Sequence, residues 1–158
     1  LRLTRELLTR AIDTVRKTQR APLVARASAL FALATEGAFA GLDTDVARDG
    51  EPVVFGVRGS GEAVQLSEMS DGTRDQLFLA FRLASVEHYC AVREPLPFIG
   101  DDLLVHFDDG RARATLGLLA ELGRTTQVLL FTHHASVCDA VAPFVAAGSA
   151  EVVSLAAE

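Results

Sequence analysis

Lysine is almost missing from this chain. Fourteen of its fifteen basic residues are arginine, and Lys17 is the single lysine. A self-contained P-loop nucleotidase is thereby excluded, because Gly-x-x-x-x-Gly-Lys-Ser/Thr needs its lysine on the phosphates. Lys17 is followed by Thr18 but preceded by Ala11-Ile12-Asp13-Thr14-Val15-Arg16, without a glycine. Cysteine is scarce as well. Cys90 and Cys138 offer no Cys-x-x-Cys pair and no Cys/His spacing of a zinc site. Two buried free thiols in a reducing cytoplasm are the expectation, ahead of a single disulfide. No apolar run approaches the roughly 18 residues of a membrane span. The N-terminus carries neither a signal-peptide apolar core nor an initiator Met, and starts at Leu1 inside a helical pattern. It reads as a piece of something longer.

What is present suits one folded unit. Of 158 residues, 49% are apolar and 23% charged, which supports one domain with a sizeable core and excludes a disordered tail or a collagen-like repeat. Twenty-one acidic against fifteen basic residues leave a net charge of -6. That balance argues against a broadly basic nucleic-acid binder.

Leu1 to about Arg20 reads as a helix. Leu1, Leu8 and Val15 are spaced as a heptad, with Thr4, Ala11 and Thr18 as a weaker second row. Either an amphipathic helix on a core or the end of a coiled coil fits. Pro22 punctuates it. A second helix over about Leu23 to Glu36 stops at Gly37. Residues 1–36 are therefore expected to form a helical segment leading into a domain at 37–158. From Asp43 to Leu66, short apolar runs broken by Asp49-Gly50 and Gly59-Ser60-Gly61 suggest two or three hairpin-linked strands. A hairpin also explains Gly56 to Gly61 better than a phosphate loop does. A long helix follows Ser70-Asp71-Gly72 and runs to about Arg93. The second half alternates strand and helix: Phe98 to Gly100, Asp108 to Leu122, Gln127 to Phe131, Ala135 to Ala146, and a last strand at Glu151 to Leu155. That order predicts an α/β fold with buried parallel strands. Ligands of such sheets sit off the carboxyl ends of strands, where Asp101, Asp102 and His133 fall.

Each candidate residue has a chemical reason and a plain alternative. Paired carboxylates after a strand suit Mg²⁺ on a nucleotide phosphate, the second carboxylate orienting water. They equally suit a solvated loop start. His133 can donate to a phosphate or ligate a metal, or simply cap the strand. His133 and His134 are adjacent, so extended geometry would point them to opposite faces. Ser70 and Gly72 precede a helix whose free N–H groups favour an anion, though an ordinary Ser/Asp cap looks the same.

Taken in order, these segments are specific. Met69-Ser70-Asp71-Gly72-Thr73-Arg74-Asp75-Gln76, Pro97-Phe98-Ile99-Gly100-Asp101-Asp102, His106-Phe107-Asp108-Asp109 and Val128-Leu129-Leu130-Phe131-Thr132-His133-His134 resemble the signature, Walker B, D-loop and histidine-switch motifs of an ABC-type ATPase head. The wording resembles the YhaN-like and SbcC-like branch of the SMC superfamily, over about residues 1 to 140. The resemblance implies the C-terminal lobe of a head whose P-loop lobe lies elsewhere, across a coiled coil. It implies ATP and Mg²⁺, with Asp101 on the metal, Asp102 at the attacking water and His133 at the γ-phosphate. Ser70 and Gly72 would contact ATP on the other protomer, and Asp108 would sit at the protomer boundary. Partners implied are the N-terminal lobe, a second head, and possible DNA and nuclease subunits of a DNA-repair or chromosome-maintenance machine. The lobe alone would be inactive.

Three departures stand out. Asp102 is one methylene shorter than the family's glutamate, Gly100 interrupts the aliphatic run and is expected to loosen the strand, and Asp71 and Thr73 depart from the wider superfamily's signature. Two other classes stay open. One is a self-contained metal-dependent phosphoesterase built on Asp101, Asp102, Asp108, His106 and His133. The other is a non-catalytic interaction module with a large exposed apolar patch. A phospho-acceptor receiver would need a lysine that Lys17 is misplaced to supply.

Overall fold

The computed structural model describes residues 22–46 and 52–155. The expected helix at Leu1 to Arg20, with its heptad, lies outside the described residues. Helix α1 (22–34) buries Ala27, Leu30, Phe31 and Ala34 at helical spacing. It ends as its sequence suggests. Gly37 takes φ +79 and its N–H reaches Ala32 O at 3.0 Å, satisfying a carbonyl that the last turn leaves open.

Strands β1 (Gly41–Val46), β2 (Pro52–Val57) and β3 (Ala63–Gln65) form an antiparallel sheet in that order. Leu42 faces Gly56, and Gly56 faces Val64. Between β2 and β3 the Arg58 N–H donates to Glu62 O at 2.9 Å, and Gly61 turns with φ +86. The glycine run is thus a hairpin. Ser28 Oγ accepts from Leu42 N at 2.7 Å and docks α1 on this sheet.

Helix α2 (Asp71–Val92) lays Leu77, Ala80, Leu83 and Ala84 on the core, and the Arg26–Glu87 pair at 2.8 Å ties it to α1 from outside. A short 3-10 turn at Leu66–Glu68 leads into it. Beyond it, β4 (Phe98–Asp101) and β5 (Val128–Phe131) pair in parallel, joined by α3 (Asp109–Leu122), and α4 (Ala135–Ala146) follows β5. One apolar cluster unites α1, the antiparallel sheet, α2, β4, α3 and Val137 of α4.

Three expectations need correction. Glu151 to Leu155 forms no strand: these residues are irregular and exposed, and no described strand offers them a ladder. The parallel strands are not buried on both faces. Phe98 and Gly100 point into the core, whereas Ile99 (62% exposed), Leu129 (37%) and Phe131 (44%) share a bare face. The described helices cover the other side only. Finally, neither thiol is buried. Cys90 lies past the core-facing stretch of α2, which ends at Ala84, and exposed Cys138 follows the inward Val137; both are free.

Phe31 is fully enclosed, with its ring 5.0 Å from that of Phe39. Phe31→Ala is expected to lower stability by about 3–5 kcal/mol in urea titration. A loss below about 1 kcal/mol would show that α1 is not part of this core.

Candidate functional site

The parallel ladder delivers the site. Asp101 and Phe131 are the last paired residues, and the ladder runs one bond further, from Asp102 N to Phe131 O at 2.9 Å. Asp102 then turns the chain with φ +47. This left-handed conformation costs an ordinary L-residue roughly 1–2 kcal/mol, less for Asp, and is over-determined here by the ladder and by His133. After the turn Leu103 folds back over Gly100, where a Cβ would lie 2.3 Å from Leu103 Cδ1. Gly100 therefore does not loosen the strand, since Gly100 still pairs with Leu130. It makes room for the return of the chain.

On the neighbouring strand, β5 stops at Phe131, so the two-residue alternation stops too. His134 N donates to Thr132 Oγ1 at 3.2 Å, and His134 sits at the N-cap of α4. The rings of His133 and His134 consequently lie 4.0 Å apart on one side, not on opposite faces as an extended chain would put them. His133 Nδ1 meets Asp102 Oδ2 at 2.9 Å. The Asp102 carboxyl lies below the usual carboxylate range. Partial desolvation pushes it up, but the Thr132 hydroxyl and the charge and N–H groups of His133 more than offset that. Asp102 Oδ1 and His134 Nε2 are buried without a hydrogen-bond partner. Asp101 shares the bare face with Ile99 and Phe131 and is exposed.

A second group gathers at the start of α2. Ser70 is its N-cap, Oγ accepting from Thr73 N at 3.3 Å. Gly72 is buried against the segment after β4, where a Cβ would stand 2.5 Å from His106 O. Asp75 Oδ2 meets His106 Nδ1 at 2.6 Å. Asp108 caps α3 through Arg111 N at 2.9 Å, and Arg111 Nη1 reaches Thr73 Oγ1 at 3.4 Å. The starts of α2 and α3 thus form one unit with the 103–108 segment.

The residues expected from sequence divide accordingly. Asp101, Asp102 and His133 lie at the strand ends, while Ser70, Gly72 and Asp108 lie at the helix starts. The phosphoesterase set does not converge. Among the described residues the His/Cys/Asp/Glu cluster with ligand atoms within 4.8 Å is Asp102, His133 and His134, without Asp101, His106 or Asp108. Sequence reasoning passed over Asp75, Arg111, Thr132 and Gln76. Gln76 is fully buried, its Nε2 donating to Ala34 O and its Oε1 unpartnered. A polar residue inside the apolar stripe of a helix was the available signal.

Solved structures share this architecture. An SMC ATPase described for its ATP-driven dimerisation and DNA-stimulated activation superposes with a TM-score of 0.67 at 17% identity, covering 80% of this chain and 76% of that one. The fold is that of an SMC ATPase head. The Smc head of Pyrococcus furiosus, with an extended coiled coil and the ScpA C-terminal domain bound, gives 0.63 at 18% identity over 80% of this chain and 32% of that one. The SMC head of Thermotoga maritima gives 0.54 at 19% over 75% and 40%. The YhaN protein of Bacillus subtilis (strain 168) is 38% identical over 84 residues, which are 51% of this chain and 8% of that protein. The present chain thus matches only a small part of that relative's length. No protein-family model matches it.

Gly72 offers a test with an inverted sign. Replacing a helical glycine by alanine ordinarily stabilises by about 0.5–1 kcal/mol. Gly72→Ala is expected instead to destabilise, by about 1–3 kcal/mol in chemical denaturation, because the methyl group meets backbone. A gain in stability would contradict the close approach of α2 to His106.

Proposed function

We propose that this chain is the C-terminal lobe of a split, SMC-type ATPase head of the YhaN-like and SbcC-like branch. It works with an N-terminal P-loop lobe and a second head, in the cytoplasm, in DNA repair or chromosome maintenance. The observation that carries the reading is the half-covered parallel sheet. Parallel sheets are ordinarily covered on both faces. Here β4 and β5 stand alone as a two-stranded sheet among the described residues, and one face presents Ile99, Leu129, Phe131 and the carboxylate of Asp101. A lobe bringing further strands and a P-loop supplies both the missing cover and the phosphate cradle. An interaction module would also account for the apolar face. It leaves unexplained why carboxylates and histidines cluster at the carboxyl ends of those strands.

The donor set fits ATP with Mg²⁺, since hard carboxylate oxygens stand at the strand ends and Asp102 Oδ1 lacks a partner. Asp101 would hold the metal, which neutralises phosphate charge when bound. Asp102, whose carboxyl Thr132 and His133 hold below the usual carboxylate range, is a weak base. It therefore orients an attacking water as a hydrogen-bond acceptor rather than removing its proton beforehand. His133 gives Nδ1 to Asp102 and leaves Nε2 at the surface, its side chain 76% exposed. Ser70 and Gly72 offer a hydroxyl and the free N–H groups of the α2 start to phosphate bound on the opposite protomer. Asp108, capping α3 beside them, lies at the boundary between heads. The two unpaired thiols suit a reducing compartment.

Steady-state ATP hydrolysis tests this. The chain alone is expected to be inactive, and addition of the P-loop lobe to restore turnover. Asp102→Asn or Ser70→Arg is then expected to cut kcat by about 100-fold or more. Hydrolysis by the chain alone, abolished by Asp101→Asn, would contradict the reading. So would wild-type turnover in either variant of the assembled head.

A further inference from the structure

We propose that Asp102, His133 and His134 form a binding site for one borderline first-row transition ion, of which Zn²⁺ is the type. Their ligand atoms all lie within 4.8 Å of one another. Two of those side chains present atoms that the protein itself leaves without a partner in a buried setting, Asp102 Oδ1 and His134 Nε2. Buried lone pairs of this kind carry a desolvation penalty that a coordinated cation removes. The third atom is already close to position. His133 Nδ1 is 2.9 Å from Oδ2, the hydrogen-bonded oxygen of the same Asp102 carboxylate, against the roughly 3.3 Å that bonds of about 2.0–2.1 Å at a tetrahedral angle set between two ligand atoms when that oxygen is the ligand.

The backbone that builds this trio is fixed independently of any ion. Asp102 is turned back by its left-handed φ of +47 and its bond to Phe131 O. The two imidazoles are brought to one side by the end of β5 and the Thr132 contact to His134 N. Chemistry then selects the ion. Two imidazole nitrogens and one carboxylate suit Zn²⁺, Co²⁺ or Fe²⁺, and not Mg²⁺, which demands oxygen ligands. Three protein ligands also leave a position open to water, as in reactive rather than closed structural zinc sites. In the assembled head such an ion would take both the carboxylate assigned above to the attacking water and the His133 Nδ1 that otherwise donates to it, so ion binding and that arrangement exclude each other. That consequence rests on the proposed function, whereas binding itself does not.

Cobalt is the probe. Titrating the nucleotide-free chain with Co²⁺ is expected to give visible d–d absorption saturating at one ion per chain. Stoichiometric Zn²⁺ should displace it, and millimolar Mg²⁺ should not. His134→Ala and the volume-conserving His134→Gln are each expected to weaken Co²⁺ by about 100-fold or more, at or beyond the upper end of what losing an outer-shell partner costs. His88→Ala, on the exposed side of α2, should leave it unchanged. Absence of the spectrum in the wild-type chain overturns the proposal without recourse to any variant. So does undiminished binding in both His134 variants, or an equal loss in His88→Ala. ATP hydrolysis enters none of these readouts, so failure here and failure of the ATPase reading are separable.

Discussion

Four rungs of parallel ladder between β4 and β5 govern the chemistry-bearing end of this molecule. Phe98 to Asp101 pair with Val128 to Phe131, and Asp102 N extends the series to Phe131 O. That last bond sets the height at which both strands stop. It turns Asp102 toward the end of β5, where Thr132 and His133 meet the carboxylate. A slip of one residue would exchange the faces of the strand. Asp101 would leave the bare face, and Phe98 would leave the core. Register, helix cover and site geometry are therefore one constraint.

The same ladder explains the tension in the fold. Phe98 belongs to the core cluster that also holds Leu116, Leu119 and Val137, and Val128 and Leu130 pack against it. Ile99, Leu129 and Phe131 look the other way and find no described element. Exposing three large apolar side chains on a two-stranded sheet forfeits burial worth about 1.5–3 kcal/mol for each side chain that could be fully covered. In the antiparallel sheet Leu42 and Val64 are buried, and Phe39 and Met69 lie over Gly56. Among the described residues β1 leaves Val46 exposed as well, but the open apolar face that lies beside the carboxylates is that of the parallel part.

Much of this was legible in the residues, and the parts that were not have physical reasons. Helix limits came from local signals: Ser70 and Asp108 as caps, Gly37 and Gly123 after helix ends. The hairpin at Gly56 to Gly61 followed from strand periodicity and turn residues. The exposure of Ile99 and Leu129 is not legible in the sequence, because a short apolar run looks alike whether its second face is covered within the chain or left open. Glu151 to Leu155 reads as a strand for the same reason, since strand formation needs a partner that sequence does not display. The pairing of His133 with His134 is not legible in the sequence because alternation holds only while the strand lasts, and β5 stops at Phe131. Arg111, Asp75 and Gln76 escaped notice because their roles arise between elements distant in sequence, as in Arg111 to Thr73 and Gln76 to Ala34.

On the function proposed here, the parallel sheet is one part of a composite sheet completed by the P-loop lobe. Amide hydrogen exchange of this chain, with and without the P-loop lobe, tests it most directly. The lobe is expected to slow exchange selectively at residues 99–101 and 129–131. The β1 to β3 sheet should exchange as before. Unchanged exchange along β4 and β5 in the presence of that lobe would contradict it.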